Sequence, residues 1–155
     1  MAVTQFRDFL QKRSLDIKVI ESDSSTHTAQ QAADVHSVPV SNIVKSLLCT
    51  DGEVFYMILT PGDKRLDLEM WAKNLGLSDF RMANPDEVKK MTGYSIGGVP
   101  PFGHLNAIKI YIENGFNPEE KLVAAAGSSN AVFEISFTDL NEIVNLLNSE
   151  VDHEE

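Results

Sequence analysis

The chain has 155 residues, 43% of them hydrophobic, with a formal net charge of −10, four histidines and one cysteine. That length suits one domain with a real core, and no apolar run approaches the roughly 18 residues of a membrane span. So acidic a chain is poorly matched to broad binding of a nucleic-acid backbone, DNA included. One cysteine excludes a disulfide framework and argues against a zinc cluster; Cys49, inside an apolar run, reads as a buried inert thiol.

The amino-terminal residues lack the pattern of a signal peptide, so a cytoplasmic protein is expected. Residues 3–13 place Val3, Phe6 and Leu10 at helical spacing. Residues 17–21 alternate as a short strand, and 22–27 form a polar loop. Thr28 with Gln31 three residues on makes a capping box, predicting a helix over 28–36. Residues 39–44 read as a turn or short helix. Two strands, 45–50 and 53–60, flank Asp51-Gly52, a hairpin signal. After a turn at 61–64, Asp67 caps a helix to Leu75 that Gly76 closes.

Residues 79–82 are a short strand candidate. Asn84, Pro85 and the acidic pair Asp86 and Glu87 open a helix that Gly93 closes. Residues 107–113 put Ile108, Ile110 and Ile112 on one strand face, and Asn114-Gly115 turns the chain. Strands at 122–126 and 131–137 flank a turn at 127–130. A final helix at 139–148 aligns Leu140, Ile143, Val144 and Leu147, and 150–155 reads as a solvated acidic tail after a domain of residues 1–149. The pattern predicts an α+β fold with a mixed, curved sheet and surrounding helices.

The stretch at 92–104, T-G-Y-S-I-G-G-V-P-P-F-G-H, is neither helix nor ladder strand, because it holds four glycines and two adjacent prolines in thirteen residues. It is a shaped loop in which Pro100 and Pro101 fix φ and hold Val99 extended. Bare N–H groups in such a loop can hold a carbonyl oxygen as charge develops on it; a tight surface connection is the plainer reading. The chain has no G-x-S-x-G elbow, Walker A loop, H-E-x-x-H or C-x-x-C motif. His27, His36, His104 and His153 show no metal-ligand spacing. Chemistry here would need no cofactor and would rest on positioning and electrostatics.

The loop G-G-V-P-P-F-G-H resembles the central loop of the YbaK and prolyl-tRNA-synthetase-associated editing domain family. Four further pieces follow that family's order: residues 28–38 (T-A-Q-Q-A-A-D-V-H-S-V), 43–48 (I-V-K-S-L-L), 62–67 (G-D-K-R-L-D) and 126–135 (A-G-S-S-N-A-V-F-E-I). The resemblance spans roughly residues 28–140. It implies a freestanding aminoacyl-tRNA deacylase that cleaves the ester of a tRNA mischarged with a small amino acid of the Ala, Cys or Ser class, with proline tRNA among the carriers.

In that reading Lys45 matches the lysine on which family activity depends, holding a phosphate or hydroxyl of the terminal adenosine and offsetting charge at the ester. Backbone N–H groups of Gly97, Gly98 and Gly103 would hold the aminoacyl carbonyl while water attacks. His104 would orient that water or the ribose, or serve the loop's structure. Tyr94 would stack or pack near the pocket, beside the rigid Pro100. Ser128, Ser129 and Asn130 would meet the amino group or ribose, or simply turn the hairpin; where this chain has S-N, many family members have R-G or P-N. Lys64 and Arg65 would touch tRNA phosphates or stand in solvent. Thr28 would face the pocket, although capping alone accounts for it. The expected partners are the 3′ end of aminoacyl-tRNA and an aminoacyl-tRNA synthetase. Two other classes stay open: a non-catalytic regulator binding the tRNA end or a nucleotide, and a module docking on a synthetase.

Overall fold

A computed structural model of the chain describes residues 2–22 and 28–153, for His153 the backbone only. The order of elements is α1 (Ala2–Lys12), β1 (Val19–Glu21), α2 (Ala29–His36), a 3-10 turn (Val40–Asn42), β2 (Val44–Thr50), β3 (Phe55–Pro61), α3 (Leu68–Leu75), β4 (Arg81–Met82), α4 (Pro85–Thr92), β5 (Lys109–Ile112), β6 (Leu122–Ser128), β7 (Ala131–Ile135) and α5 (Phe137–His153). The polar segment expected at 22–27 lies, beyond Ser22, outside the described residues, as does His27.

The fold is α+β, as the sequence pattern predicts. Its strands form two sheets: β1-β7-β6, and β4-β2-β3-β5. All neighbours are antiparallel except β3 and β5, which run parallel with Tyr56 opposite Lys109. An isolated parallel bridge between Ile43 and Val123 links the sheets. Among the described residues no helix is long and apolar enough to cross a membrane.

Local signals account for most boundaries. Thr28 and Gln31 form the expected reciprocal capping box, as do Asn84 and Glu87 ahead of α4. Gly76 and Gly93 end α3 and α4 in the left-handed conformation. The β2–β3 turn differs from a two-residue hairpin: the Asp51 carboxylate accepts the N–H groups of Glu53 and Val54, so residues 51–54 form an Asx-type loop.

The acidic tail expected from residue 150 is a correction. The helix continues to His153 because Glu150 accepts two hydrogen bonds from Arg13, both at 2.6 Å, and Asp152 pairs with Lys109 at 2.8 Å. These contacts tie α5 to the end of α1 and to β5. Glu154 and Glu155 lie outside the described residues.

The core gathers under the 92–104 loop. Phe6 of α1, Phe102 of the loop and Phe133 of β7 are fully buried, with ring centroids 5.2 to 5.7 Å apart. Tyr94, also fully buried, donates its hydroxyl to the Gly103 carbonyl at 3.0 Å and closes the loop on itself. On the far flank of β2, the fully buried Asn42 works as a polar rivet. Its amide nitrogen donates to the carbonyls of Asn117, Glu120 and Lys121, and its oxygen accepts from Asn117 N–H. It thereby fixes the approach to β6 beside the start of β2.

Asn42→Leu leaves that set of buried backbone groups unpaired, and a stability loss of about 2 to 4 kcal/mol is expected in urea unfolding. Asn42→Asp, which keeps the acceptor but sets a carboxylate oxygen against those three carbonyls, should cost at least as much as Asn42→Leu at pH 7.

Candidate active site

Two cavities open along β2. The larger, about 420 Å³, lies between the start of α2 and the β6–β7 hairpin, walled by Ala29, Ala32, Val123 and Val132 with Thr28, Ser128 and Ser129 at its polar edge. The smaller, about 280 Å³, lies between β2, β4, α4 and the glycine loop, walled by Leu48, Met82, Ala83, Val88, Ile96 and Val99. Val44, Lys45, Gly97 and Ala125 line both. Among the described residues on these walls, Lys45 carries the only ionisable side chain. In a chain of net charge −10, the one charge facing the cavities is thus positive.

Lys45 is half-buried on β2, opposite Thr60 of β3, and its ammonium donates to the Lys64 carbonyl. That carbonyl belongs to the 61–64 turn, closed by Lys64 N–H on the Pro61 carbonyl at 3.0 Å. Gly62 makes the turn fit: a Cβ there would stand 2.5 Å from the Val40 carbonyl oxygen and 3.1 Å from the Ala29 Cβ. Glycine lets the turn press against both the 3-10 segment and α2, setting an acceptor beside the lysine.

The glycine loop docks on the hairpin through backbone. Residues 95–98 make a turn, with Gly98 N–H on the Ser95 carbonyl at 3.0 Å, and the Gly98 carbonyl accepts the Gly127 N–H at 2.9 Å. A register shift between Ala125 and Ser128 frees Gly127, at φ +113°, to point that N–H at the loop. Gly98 itself has no room for a side chain, since a Cβ would lie 2.7 Å from Ser128 Cα. Gly97 is exposed, left-handed at φ +95°, with open space around its Cβ position.

The structure therefore brings together Lys45, Gly97, Thr28, Ser128 and Ser129, and it separates the rest. The Gly98 N–H, expected to meet a substrate carbonyl, is spent on Ser95 because the turn closes there. Gly103 and His104 line a different recess, of about 190 Å³, with Phe9, Arg13 and Glu150. A Cβ at Gly103 would meet the Phe9 and Phe6 rings at 3.1 and 3.2 Å, so its glycine serves packing. His104 Nε2 donates to the Pro100 carbonyl at 2.8 Å, which defines its tautomer because a carbonyl only accepts. Desolvation holds its pKa down, to about 4, and the ring is neutral at pH 7.

Tyr94 and Pro100 are buried under the loop and line neither cavity, and burial raises the phenol pKa. Asn130 gives its amide to the Ser22 carbonyl at 3.0 Å and accepts the Ser128 hydroxyl at 2.8 Å, bracing the hairpin. The Lys64 ammonium sits 3.0 Å from the Asn114 carbonyl and 3.5 Å from the buried Glu113 carboxylate. Arg65 is exposed on the same turn. Cys49 is fully buried, with its thiol pushed up to about 12, as suits an inert sulfur. Among the described residues no three His, Cys, Asp or Glu side chains gather as a metal site.

Sequence reasoning missed the second cavity and the alanines that hollow out both, since small residues on α2, on β6 and after β4 leave no local motif. Gly62 was visible only as a turn residue.

A lone positive charge between two mostly apolar cavities, backed by a glycine turn, defines a site for an anionic or carbonyl-bearing ligand on an α+β scaffold. The sequence profile of the aminoacyl-tRNA editing domain matches residues 23–143, and the chain belongs to that family. It is 30% identical over 143 residues, 92% of this chain and 90% of the relative, to the uncharacterized protein YwhH of Bacillus subtilis. It is 23% identical over 141 residues to the prolyl-tRNA editing protein ProX of Acetoanaerobium sticklandii, covering 87% and 85% of the two chains. It is also 35% identical over 91 residues to the proline--tRNA ligase of Thermosipho africanus, a much longer protein of which the match covers 16%. Among solved structures, a proposed trans-editing enzyme for prolyl tRNA synthetase superposes with a TM-score of 0.85 at 33% identity, over 93% of this chain and 92% of that one.

Two measurements probe this geometry. Gly98→Ala should destabilise by about 2 kcal/mol or more, against roughly 1 kcal/mol for Gly97→Ala, where φ is unfavourable but space is open; equal losses in urea unfolding would contradict the close approach. For His104, the unfolded chain takes up a proton near pH 6.5 and the folded chain only near 4. Its contribution to stability is therefore complete above pH 6.5 and is lost as pH falls towards 4. His104→Gln should flatten the stability profile across that window.

Proposed function

We propose that this protein is an aminoacyl-tRNA deacylase acting in trans in the cytoplasm, hydrolysing the ester of tRNA mischarged with a small amino acid of the Ala, Cys or Ser class, with proline tRNA the first carrier to test. The observation that carries the reading is the position of Lys45, which lines both cavities and is the sole ionisable group on their walls among the described residues. Selection of small side chains by binding alone is weak, since one methylene is worth about 1 to 3 kcal/mol, and a second hydrolytic site compensates for that.

The larger cavity receives the terminal adenosine, its ribose at the Thr28, Ser128 and Ser129 edge. The smaller receives the amino-acid side chain among Leu48, Met82 and Val99. The ester joining the two then lies at Lys45 and Gly97. As water adds to the carbonyl, negative charge develops on its oxygen, and the ammonium and the Gly97 backbone stabilise it. No described side chain on either wall is a competent general base at neutral pH, so the water's proton passes to the departing ribose oxygen. Arg65, with Lys64 beside it, supplies a local cationic contact for phosphates near the 3′ end, which reconciles tRNA binding with the acidic whole. A synthetase is the natural supplier of mischarged substrate.

The test is release of amino acid from tRNA charged with alanine, serine, cysteine, threonine or proline, by wild type and by Lys45→Ala. Selective release of a small amino acid, reduced about 10²- to 10³-fold in the variant, is expected. Release no faster than in buffer across the panel overturns the deacylase reading, and tight binding of the same tRNAs without release would replace it with the regulator.

A further inference from the structure

Among the described residues Glu113 is the only buried one with a charged side chain, and it lines neither cavity along β2. A carboxylate is seldom taken out of water unless it is paired. Here its Oε2 accepts the indole N–H of Trp71 on α3 at 2.6 Å, and its Oε1 lies 3.5 Å from the Lys64 ammonium. Lys64 also donates to the Asn114 carbonyl at 3.0 Å. The parallel pairing of β3 and β5, with Leu59 opposite Ile112, brings these groups together, because both strands leave the sheet at the same end. Glu113 N–H donates to the Leu59 carbonyl at 2.9 Å, and a Cβ on Gly115 would stand 3.1 Å from Pro61 Cγ. The turn at 113–115 therefore lies against the turn at 61–64.

We infer that Glu113 is a positioning residue for the deacylation: it anchors the Lys64 side chain, and Lys64 offers the carbonyl on which the Lys45 ammonium rests. This inference rests on the deacylase reading and deepens it. A lysine ammonium is a point charge on a flexible four-carbon stem, so its place is set by whatever accepts its hydrogens. Of the three donors on Lys45 one is given to Lys64, and two remain for a substrate oxygen. The accepting carbonyl is held on one side by Gly62, pressed on Val40 and Ala29, and by Lys64 N–H on Pro61. On the other side it is held through the Lys64 side chain, whose charged partner is Glu113, itself pinned by Trp71. Without the carboxylate that side chain keeps the Asn114 carbonyl and loses its counter-charge, and the turn gains freedom together with the ammonium it bears. Charge stabilisation falls steeply with such freedom, since a misplacement of about 1 Å can cost 10²-fold in rate. Glu113 acts on the reaction only through Lys45.

The experiment uses the full chain in excess over proline tRNA charged with alanine, serine or cysteine, and reads the single-turnover rate of ester cleavage. Glu113→Gln takes a charge out of the interior and replaces one of the two accepting oxygens by a donor. It should cut the rate about five- to twentyfold, leave the half-saturating protein concentration within about twofold, and unfold within about 3 °C of wild type. In a Lys45→Ala background the same change should cost less than about twofold, because no ammonium remains to be placed. A merely structural role would take the same factor from both backgrounds. Lys64→Met, at a side chain nearly half exposed, removes the tie from its other end. Its rate loss should vanish in the Lys45→Ala background as well, and it decides the matter if Glu113→Gln does not fold. A rate within about twofold of wild type, or equal losses with and without Lys45, overturns the positioning role and leaves the deacylase reading standing. Release by wild type no faster than in buffer removes the deacylase reading and, with it, the reaction that Glu113 serves.

Discussion

One hydrogen bond between two glycines organises the site: the Gly98 carbonyl accepts the Gly127 N–H at 2.9 Å. It forms because β6 slips its register between Ala125 and Ser128, which turns a ladder donor away from the sheet and towards the loop. Neither partner tolerates a side chain. A Cβ on Gly98 would strike the backbone at Ser128, and one on Gly127 would stand 2.7 Å from the Ala2 carbonyl oxygen. The loop, the hairpin and the start of α1 therefore meet at backbone distance, and Gly97 is carried to the strand that bears Lys45.

The same contact explains why there are cavities. An isolated parallel bridge at Ile43 and Val123 joins the two sheets beside the larger cavity, which both residues line. Small residues, Ala29, Ala32, Ala124 and Ala125, keep the opening from being filled by the chain itself. Interiors otherwise pack to the density of organic crystals, so hollow space beside a core strand must be maintained by rigid walls. The aromatic cluster of Phe6, Phe102 and Phe133 supplies that rigidity from beneath the loop, and the Asn42 rivet from the other flank.

Legibility in the sequence followed the range of the interaction. Capping boxes at Thr28 and Asn84 and the terminating Gly76 and Gly93 are local, and each marks its helix end within a residue or two. The Asp51-Gly52 turn was legible as a turn and not as an Asx loop, because the carboxylate's choice of backbone partners depends on conformation. The end of α5 was misread since Glu150 and Asp152 look like a charged tail until Arg13 and Lys109 are brought beside them from more than forty positions away. At the site, Lys45 was legible through the resemblance of residues 43–48 to the lysine-bearing strand of the editing-domain family. The division of the GGVPPFGH loop did not show: Gly97 faces the cavities, while Gly98, Tyr94, Gly103 and His104 build the loop's own frame. Nothing in a glycine's identity says whether its missing side chain makes room for a ligand or for a neighbouring strand.

That division bears on mechanism. A loop whose N–H groups all awaited substrate would be an unsatisfied and mobile loop in the free protein. Here Gly98 N–H, the Tyr94 hydroxyl and His104 Nε2 are committed to internal acceptors, and the loop is held in shape before any ligand arrives. Preorganisation of this kind lowers the reorganisation needed when charge appears on a bound carbonyl. The lysine is prepared in the same manner: the Lys64 carbonyl, placed by the Gly62 turn, holds its ammonium at the cavity junction. Electrostatic complementarity is thus concentrated at one point of an acidic molecule. A polyanion is repelled by most of such a surface and meets positive charge, on these cavity walls, at Lys45.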